Sequence, residues 1–200
     1  MPLFPTELTS ERLRYERVYP GETDPYEVYG AAGHHADRIE ETTAYLTWEP
    51  HETPKESQEF VAFAGEQFDA DDGAHYVLRP KQGEDGADEF AGTTGLSVDW
   101  ERQTAELGIW LRPRFWGRGY AGERAARFFD LAFDRLDLAL VTVAHDARNE
   151  QSRRAIQRYV DRFGGRKEGR LRNGGLRQDG TPYDLVRYSV SREEWANARE

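Results

Sequence analysis

Apolar and polar positions alternate in several short stretches of the chain. Residues 13–20 (LRYERVYP) set Leu13, Tyr15 and Val18 among charged neighbours and predict a first strand. Residues 74–80 (AHYVLRP) and 90–100 (FAGTTGLSVDW) predict two more, the second with Leu96, Val98 and Trp100 in alternation. In residues 105–111 (AELGIWL), Leu107, Ile109 and Leu111 share one face of a strand, while Glu106, Gly108 and Trp110 share the other. Residues 138–144 (LALVTVA) form a nearly unbroken apolar run, as expected of a strand covered on both faces. Residues 166–173 and 183–191 complete the predicted strands.

Between these runs the apolar period lengthens to that of a helix. Thr53-Pro54-Lys55-Glu56 predicts a helix start, with Thr53 as N-cap, Pro54 at the first helical position and Glu56 reaching back to the cap. That helix is expected to run to about Phe68, with Phe60, Val61, Ala64 and Phe68 on one side. A second helix, from Gly119 to Leu136, carries the stripe Ala121, Ala125, Phe128, Ala132 and Leu136. A third, from Asn149 to Phe163, turns Ala155, Ile156, Tyr159 and Phe163 inward and stops at Gly164-Gly165. Residues 24–50 are expected to hold short helices, and the acidic stretch 81–89 (KQGEDGADE) to be a solvent loop or hairpin tip. Antiparallel strands come first, then a strand-helix-strand-helix unit, then strands again. This order predicts an α/β domain around a mixed sheet, one domain spanning residues 1–200.

Charge narrows the range of partners. The formal net charge of -10 disfavours nucleic acid and anionic membranes. Its 24 Arg against three Lys, with 37 acidic residues, resemble proteins of a salt-loaded cytoplasm, where salt screens an acidic surface; an acidic protein from a GC-rich genome is the plainer reading. No apolar run approaches the roughly 18 residues of a membrane span, and the N-terminus has no signal-peptide pattern. The chain has no Cys, so disulfides, thiol nucleophiles and Cys-based zinc sites are excluded. Its five His lack metal-ligand spacing, and no metal is expected. The expected location is the cytoplasm, as a monomer or homodimer.

The chemistry gathers in residues 112–122 (RPRFWGRGYAG), between a strand and a helix. Glycines let backbone approach a ligand, and the first N–H groups of a helix have no internal partner, so such a loop is suited to phosphate. Arg112, Arg114 and Arg118 reverse the sign of an otherwise acidic chain here. No P-loop pattern occurs. The dinucleotide fingerprint G-x-G-x-x-G does occur, as Gly117, Gly119 and Gly122. It stands five residues away from its strand and follows antiparallel strands, with Asp146 as a conceivable ribose-binding acid.

The segment more closely resembles motif A of the GNAT family of N-acetyltransferases, whose [Q/R]-x-x-G-x-[G/A] loop cradles the pyrophosphate of acetyl-CoA. Residues 116–121 fill that pattern, with Trp116 at the Gln/Arg position. The wording GIWLRPRFWGRGYAGERA is similar to the RimJ/RimL branch of ribosomal-protein N-terminal acetyltransferases. Asn149, Ser152 and Ile156 follow that branch's N-x-x-S-x-x-x-[IL], and TSERLRYERV and YLTWEP (45–50) extend the likeness over most of the chain. The resemblance implies a GNAT fold, a central mixed and mostly antiparallel sheet flanked by helices. It implies acetyl-CoA as cosubstrate and direct attack by an amine in a ternary complex. The expected acceptor is a primary amine, foremost a protein N-terminal α-amine.

The resemblance also places site residues. Trp116, Gly117, Arg118, Gly119, Tyr120, Ala121 and Gly122 would hold the diphosphate. Ile109, Trp110 and Leu111 would pair with the pantetheine arm, and Asn149 would touch it. Glu106 is the candidate base, acting through water, and Ser152 the candidate acid or hydrogen-bond donor to the thiol sulfur. Plainer readings exist for each: a strand-edge carboxylate for Glu106, and a helix N-cap with its third residue for Asn149 and Ser152. Many GNAT enzymes carry a Tyr general acid seven residues after the Asn, where this chain has Ile156. Two other readings stay open: an acyl-CoA-binding module without efficient catalysis, and a dinucleotide-binding oxidoreductase.

Overall fold

The computed structural model describes residues 2–177 and 179–199. Its strands are β1 (Glu7–Thr9), β2 (Leu13–Arg17), β3 (Gly73–Pro80), β4 (Gly92–Asp99), β5 (Thr104–Leu111), β6 (Leu140–Asp146), β7 (Arg166–Leu176) and β8 (Pro182–Ser191). Its helices are α1 (Pro25–Ala32), α2 (Ile39–Thr43), α3 (Pro54–Asp69), α4 (Tyr120–Asp130), α5 (Glu150–Arg162) and α6 (Arg192–Asn197). The eight strands form one mixed sheet in the order β1-β2-β3-β4-β5-β6-β8-β7. β5 and β6 pair in parallel, whereas β1–β2, β2–β3, β3–β4, β6–β8 and β7–β8 are antiparallel. No helix among the described residues is long and apolar enough to cross a membrane.

The chain divides into two compact units. One draws on the chain up to Ala44, Glu49–Ser97 and Gly108–Tyr120; the other on Tyr45–Trp48, Val98–Leu107 and the chain from Ala121 onward. In the first unit, Val18, Val28, Ala31, Val61, Ala64, Val77 and Phe90 form a buried cluster, with Phe60 and Trp110 packed against it. The expected apolar side of α3 holds: Val61, Ala64 and Phe68 are buried and Phe60 half-buried. The expected cap does not form. The Thr53 hydroxyl caps no backbone N–H and instead donates to Glu56, whose carboxylate accepts from the N–H of Glu52 at 2.9 Å. Glu56 thus reaches one residue further back than the motif predicts.

In the second unit, β6 and β8 bury Val141, Val143, Val186, Tyr188 and Val190, as the apolar run of β6 requires. Ala125, Phe128 and Phe129 of α4 and Ile156, Tyr159 and Val160 of α5 are buried; the Phe129 and Phe163 rings meet edge-on at 5.1 Å. α4 ends earlier than its stripe predicts. Leu131–Arg135 continues it as one π-helical turn, which keeps Leu131, Ala132 and Phe133 buried after the α-helical period has run out. Two elements fall outside the apolar pattern. β1 is only three residues long, and α6 is started by a capping box in which Ser191 and Glu194 cap each other's backbone N–H groups.

Gly92 decides the local fit of β4 to β5 within the first unit. Its φ is +155°, and a Cβ there would lie 2.1 Å from the Trp110 carbonyl oxygen and 2.8 Å from the Leu111 Cα. Both obstacles are backbone. Gly92→Ala is expected to lower unfolding stability by about 3 kcal/mol, measured as a shift of the urea midpoint. An unchanged midpoint would show that the two strands can part there freely.

Candidate functional site

The glycine-rich loop belongs to the first unit. β5 ends at Leu111, Pro113–Phe115 make one 3-10 turn, and α4 begins at Tyr120. The Trp116 indole N–H donates to the Leu111 carbonyl at 2.7 Å and folds the loop back onto the strand end. Arg12, remote in sequence, donates to the Arg118 carbonyl at 3.0 Å, and its guanidinium carbon lies 5.1 Å from the centre of the Tyr120 ring. Tyr120 is buried, stacks on Phe115 at 6.5 Å and donates its hydroxyl to Glu84 at 2.7 Å. Burial first, and then that carboxylate, raise the Tyr120 phenol above its ordinary pKa, so it stays a neutral donor.

Gly117 and Gly119 both take left-handed backbone, with φ of +76° and +82°. A Cβ on Gly117 would meet no atom within 4 Å, and one on Gly119 only the end of Arg12 at 3.5 Å. Packing does not demand glycine at either place. What demands it is the backbone conformation, which bends the chain into an open cradle just ahead of the first N–H groups of α4. Such a cradle fits a diphosphate.

The candidate groups for proton transfer belong to the second unit. Glu106 is exposed on β5 and opposite Thr142 in the parallel register. Alternation along β6 puts Asp146 on the face of Thr142. Asp146 is the hub of this region. Its side chain is 1 % exposed, accepts from the Arg148 N–H at 2.9 Å and guanidinium at 3.1 Å, and is ion-paired with Arg177. Burial pushes the Asp146 carboxyl up, but the Arg148 hydrogen bonds and the charges of Arg148 and Arg177 outweigh it, and its pKa lies below the ordinary range. The Arg177 guanidinium also lies 4.9 Å from the centre of the Tyr183 ring. Burial foremost, and then the charges of Asp146 and Glu106, raise the Tyr183 phenol against the opposing pull of Arg177. Glu106, Asp146, Arg177 and Tyr183 therefore share one electrostatic neighbourhood.

Asn149 and Ser152 meet in a cap. The Asn149 side-chain carbonyl accepts from the Ser152 N–H at 2.9 Å and starts α5, while the Asn149 N–H donates to the Asp146 carbonyl at 2.8 Å. The side chain of Trp110 packs against the first unit's core, so at that position only the backbone is a candidate for ligand contact. There the Leu111 carbonyl is taken by Trp116, and the Gly108 carbonyl accepts from the Thr94 hydroxyl at 2.8 Å. Ala121 and Gly122 open α4 and are half-buried. Asp146, weighed above as a ribose-binding acid, is spent on two arginines. Sequence reasoning missed the contacts of Arg12, Glu84 and Arg177. They reach their partners across 31 to 106 residues, and no local motif marks them.

The lowered pKa of Asp146 fixes the sign of a pH effect. A carboxyl that titrates lower folded than unfolded contributes stability in full above its ordinary value, and loses it as pH falls through the folded value. Asp146→Asn is expected to cost about 2 kcal/mol at pH 7. The gap from the natural chain should close on acidification below the ordinary Asp pKa of 3.8. Urea titrations of both proteins across pH test this; a gap that persists in acid would refute the ionic origin.

Residues 26–159 match the family model of the acetyltransferase (GNAT) domain. "Putative ribosomal N-acetyltransferase YdaF" of Bacillus subtilis (strain 168) is 32% identical over 99 residues, 50% of this chain and 51% of that protein. The FsC-acetyl coenzyme A-N(2)-transacetylase of Aspergillus fumigatus is 31% identical over 107 residues, 52% of this chain and 43% of that protein. The chain spans about half the length of the curated relatives it matches. Among solved structures, a GCN5-related N-acetyltransferase from Brucella melitensis superposes with a TM-score of 0.79 at 24% identity, covering 99% of this chain and 84% of that one. The Microcin C7 self-immunity acetyltransferase MccE, solved with acetyl-CoA and AMP, superposes at 0.78 and 17% identity, covering 95% and 98%. The mostly antiparallel sheet, the loop between β5 and α4 and the match over residues 26–159 agree, and the chain belongs to the GNAT acetyltransferase family.

Proposed function

We propose that this protein transfers the acetyl group of acetyl-CoA to a primary amine, and that its acceptor is the α-amine of a protein N-terminus. The observation that carries the reading is the pair of left-handed glycines, Gly117 and Gly119, with open space above them and the start of α4 behind them. The thioester supplies an activated acetyl group when bound. Backbone N–H groups of residues 117–122 hold the diphosphate, and the β5 backbone at Ile109 and Trp110 orients the arm that follows it.

Glu106 takes, through a water molecule, the proton that the amine must shed as its nitrogen bonds to the carbonyl carbon. The base requirement is modest, because an α-amine has a pKa of about 7.7–8.0 against about 10.4 for a lysine amine. The Ser152 hydroxyl hydrogen-bonds the sulfur as the carbon–sulfur bond breaks, the departing thiolate takes its proton from water, and Asn149 fixes the start of α5 that carries Ser152.

Thermal-shift titration with acetyl-CoA, CoA, NADH and NADPH in parallel tests the cosubstrate, since a ligand of the folded state raises the melting temperature with concentration. Acetyl-CoA and CoA are expected to stabilise and the nicotinamides not; the reverse would replace the acetyltransferase reading with an oxidoreductase one. Glu106→Gln is expected to lower kcat by about 100-fold at neutral pH with little change in the KM for acetyl-CoA. An unchanged kcat in both Glu106→Gln and Ser152→Ala would remove these residues from the chemistry. A wild-type preference for spermidine over an N-terminal peptide would remove the acceptor assignment.

A further inference from the structure

The acidic stretch 81–89 is not a free solvent loop. It joins β3 to β4 in the first unit and lies against the glycine-rich loop. Arg118 donates from one guanidinium nitrogen to the Asp85 carbonyl and from the other to the Asp85 carboxylate, both at 2.7 Å. Arg114 donates to both carboxylate oxygens of Glu89, at 2.8 and 2.7 Å, and approaches Asp85 at 3.4 Å. Arg12 and Arg112 stand 4.0 and 3.8 Å from Glu84 and Glu89. Gly86 allows the close approach: its φ is +76°, and a Cβ there would lie 2.9 Å from the Phe115 ring. Arg12, Arg112, Arg114 and Arg118 therefore each face a carboxylate of this one segment. The guanidiniums of Arg118 and Arg114 also hold the Asp85 carboxyl below its ordinary pKa.

We propose that residues 84–89 are a built-in counter-anion, which competes with the phosphates of the incoming nucleotide for Arg114 and Arg118. This rests on the acetyl-CoA reading of the loop. Binding is then an exchange, in which carboxylate leaves the guanidiniums as phosphate arrives. The exchange is feasible because the pairs face water: Asp85 is 72% exposed and Arg114 42%. Exposed ion pairs are weak and are weakened further by salt. Phosphate held by arginine is normally loosened by salt. Here salt also releases the competitor and screens a chain of net charge -10. Cosubstrate affinity should therefore hold steady or rise with salt.

The experiment is isothermal titration of CoA into three full-length proteins between about 0.05 and 1 M KCl, a range over which the screening length falls from above 10 Å to about 3 Å. The proteins are the natural chain, Asp85→Asn/Glu89→Gln, and Glu66→Gln/Glu101→Gln, a pair of exposed acids away from the segment with the same change in charge. Asp85→Asn/Glu89→Gln should bind CoA about fivefold tighter than the natural chain at low salt and lose that advantage at high salt. The control pair should follow the natural chain. Equal tightening in the control would assign the effect to net charge and overturn the proposal. Equal or weaker binding by Asp85→Asn/Glu89→Gln, with its melting temperature unchanged, would make the segment a brace and overturn it likewise. If CoA binds none of the three at any salt, the acetyl-CoA reading itself falls and this proposal falls with it.

Discussion

The glycine-rich loop depends on one hydrogen bond, from the Trp116 indole to the Leu111 carbonyl. A strand that ends without a partner for its last carbonyl has every reason to drift. Here the indole closes a short ring of chain, and the 3-10 turn at Pro113–Phe115 fills it. The side chain at motif A's first position thus serves the loop's own closure. Arg12 adds a second fixed point at the Arg118 carbonyl, between the two left-handed glycines. The backbone between these points is held in shape by side chains, so its N–H groups are aimed before any ligand arrives. Preorganised donors of this kind need not be rearranged when charge arrives.

Arginine does most of the polar work in both units. Its planar fork can satisfy two acceptors at once, which a lysine ammonium does less well. Arg79 bridges Glu16 and Glu27, Arg118 takes a carbonyl and a carboxylate of one residue, and Asp146 gathers two guanidiniums. Even the interior carries one. Arg124 on α4 is 0 % exposed, with its guanidinium carbon 5.7 Å from the Phe128 ring centre. It lowers the neighbouring Tyr159 phenol, yet burial still pushes that phenol up to about 12.

Much of this was legible in the chain and some was not, for physical reasons. Strands such as β3 and β5 announced themselves because burial imposes a period on their side chains, and β6 because cover on both faces makes it an unbroken apolar run. α5 was bounded correctly because Asn149 and Gly164-Gly165 are local signals at its two ends. The motif at 116–121 was visible because a cradle of backbone needs glycine at fixed spacing. β1 escaped because three residues are too few to show a period, and α6 because its cap lies at the end of a strand. The π turn at Leu131–Arg135 escaped because the same apolar stripe suits a continued α-helix. The docking of 81–89 and the Asp146–Arg177 pair were invisible for another reason. Their partners are chosen by the fold, and composition alone reads such charges as solvated.

The scarcity of lysine has a consequence for a catalyst of amine acylation. Such a catalyst risks becoming its own substrate, because surface lysines also carry primary amines. A guanidinium, charged at every physiological pH, is no competitor. Most ion pairs among the described residues use arginine, and the chain keeps three lysines. Lys81 donates its ammonium to the Ser10 carbonyl, Lys55 pairs with Glu59, and Lys167 stands in a strand far along the chain from the loop. The arginine-based ion-pair chemistry that holds the protein together also leaves few side-chain amines for the reaction proposed for it.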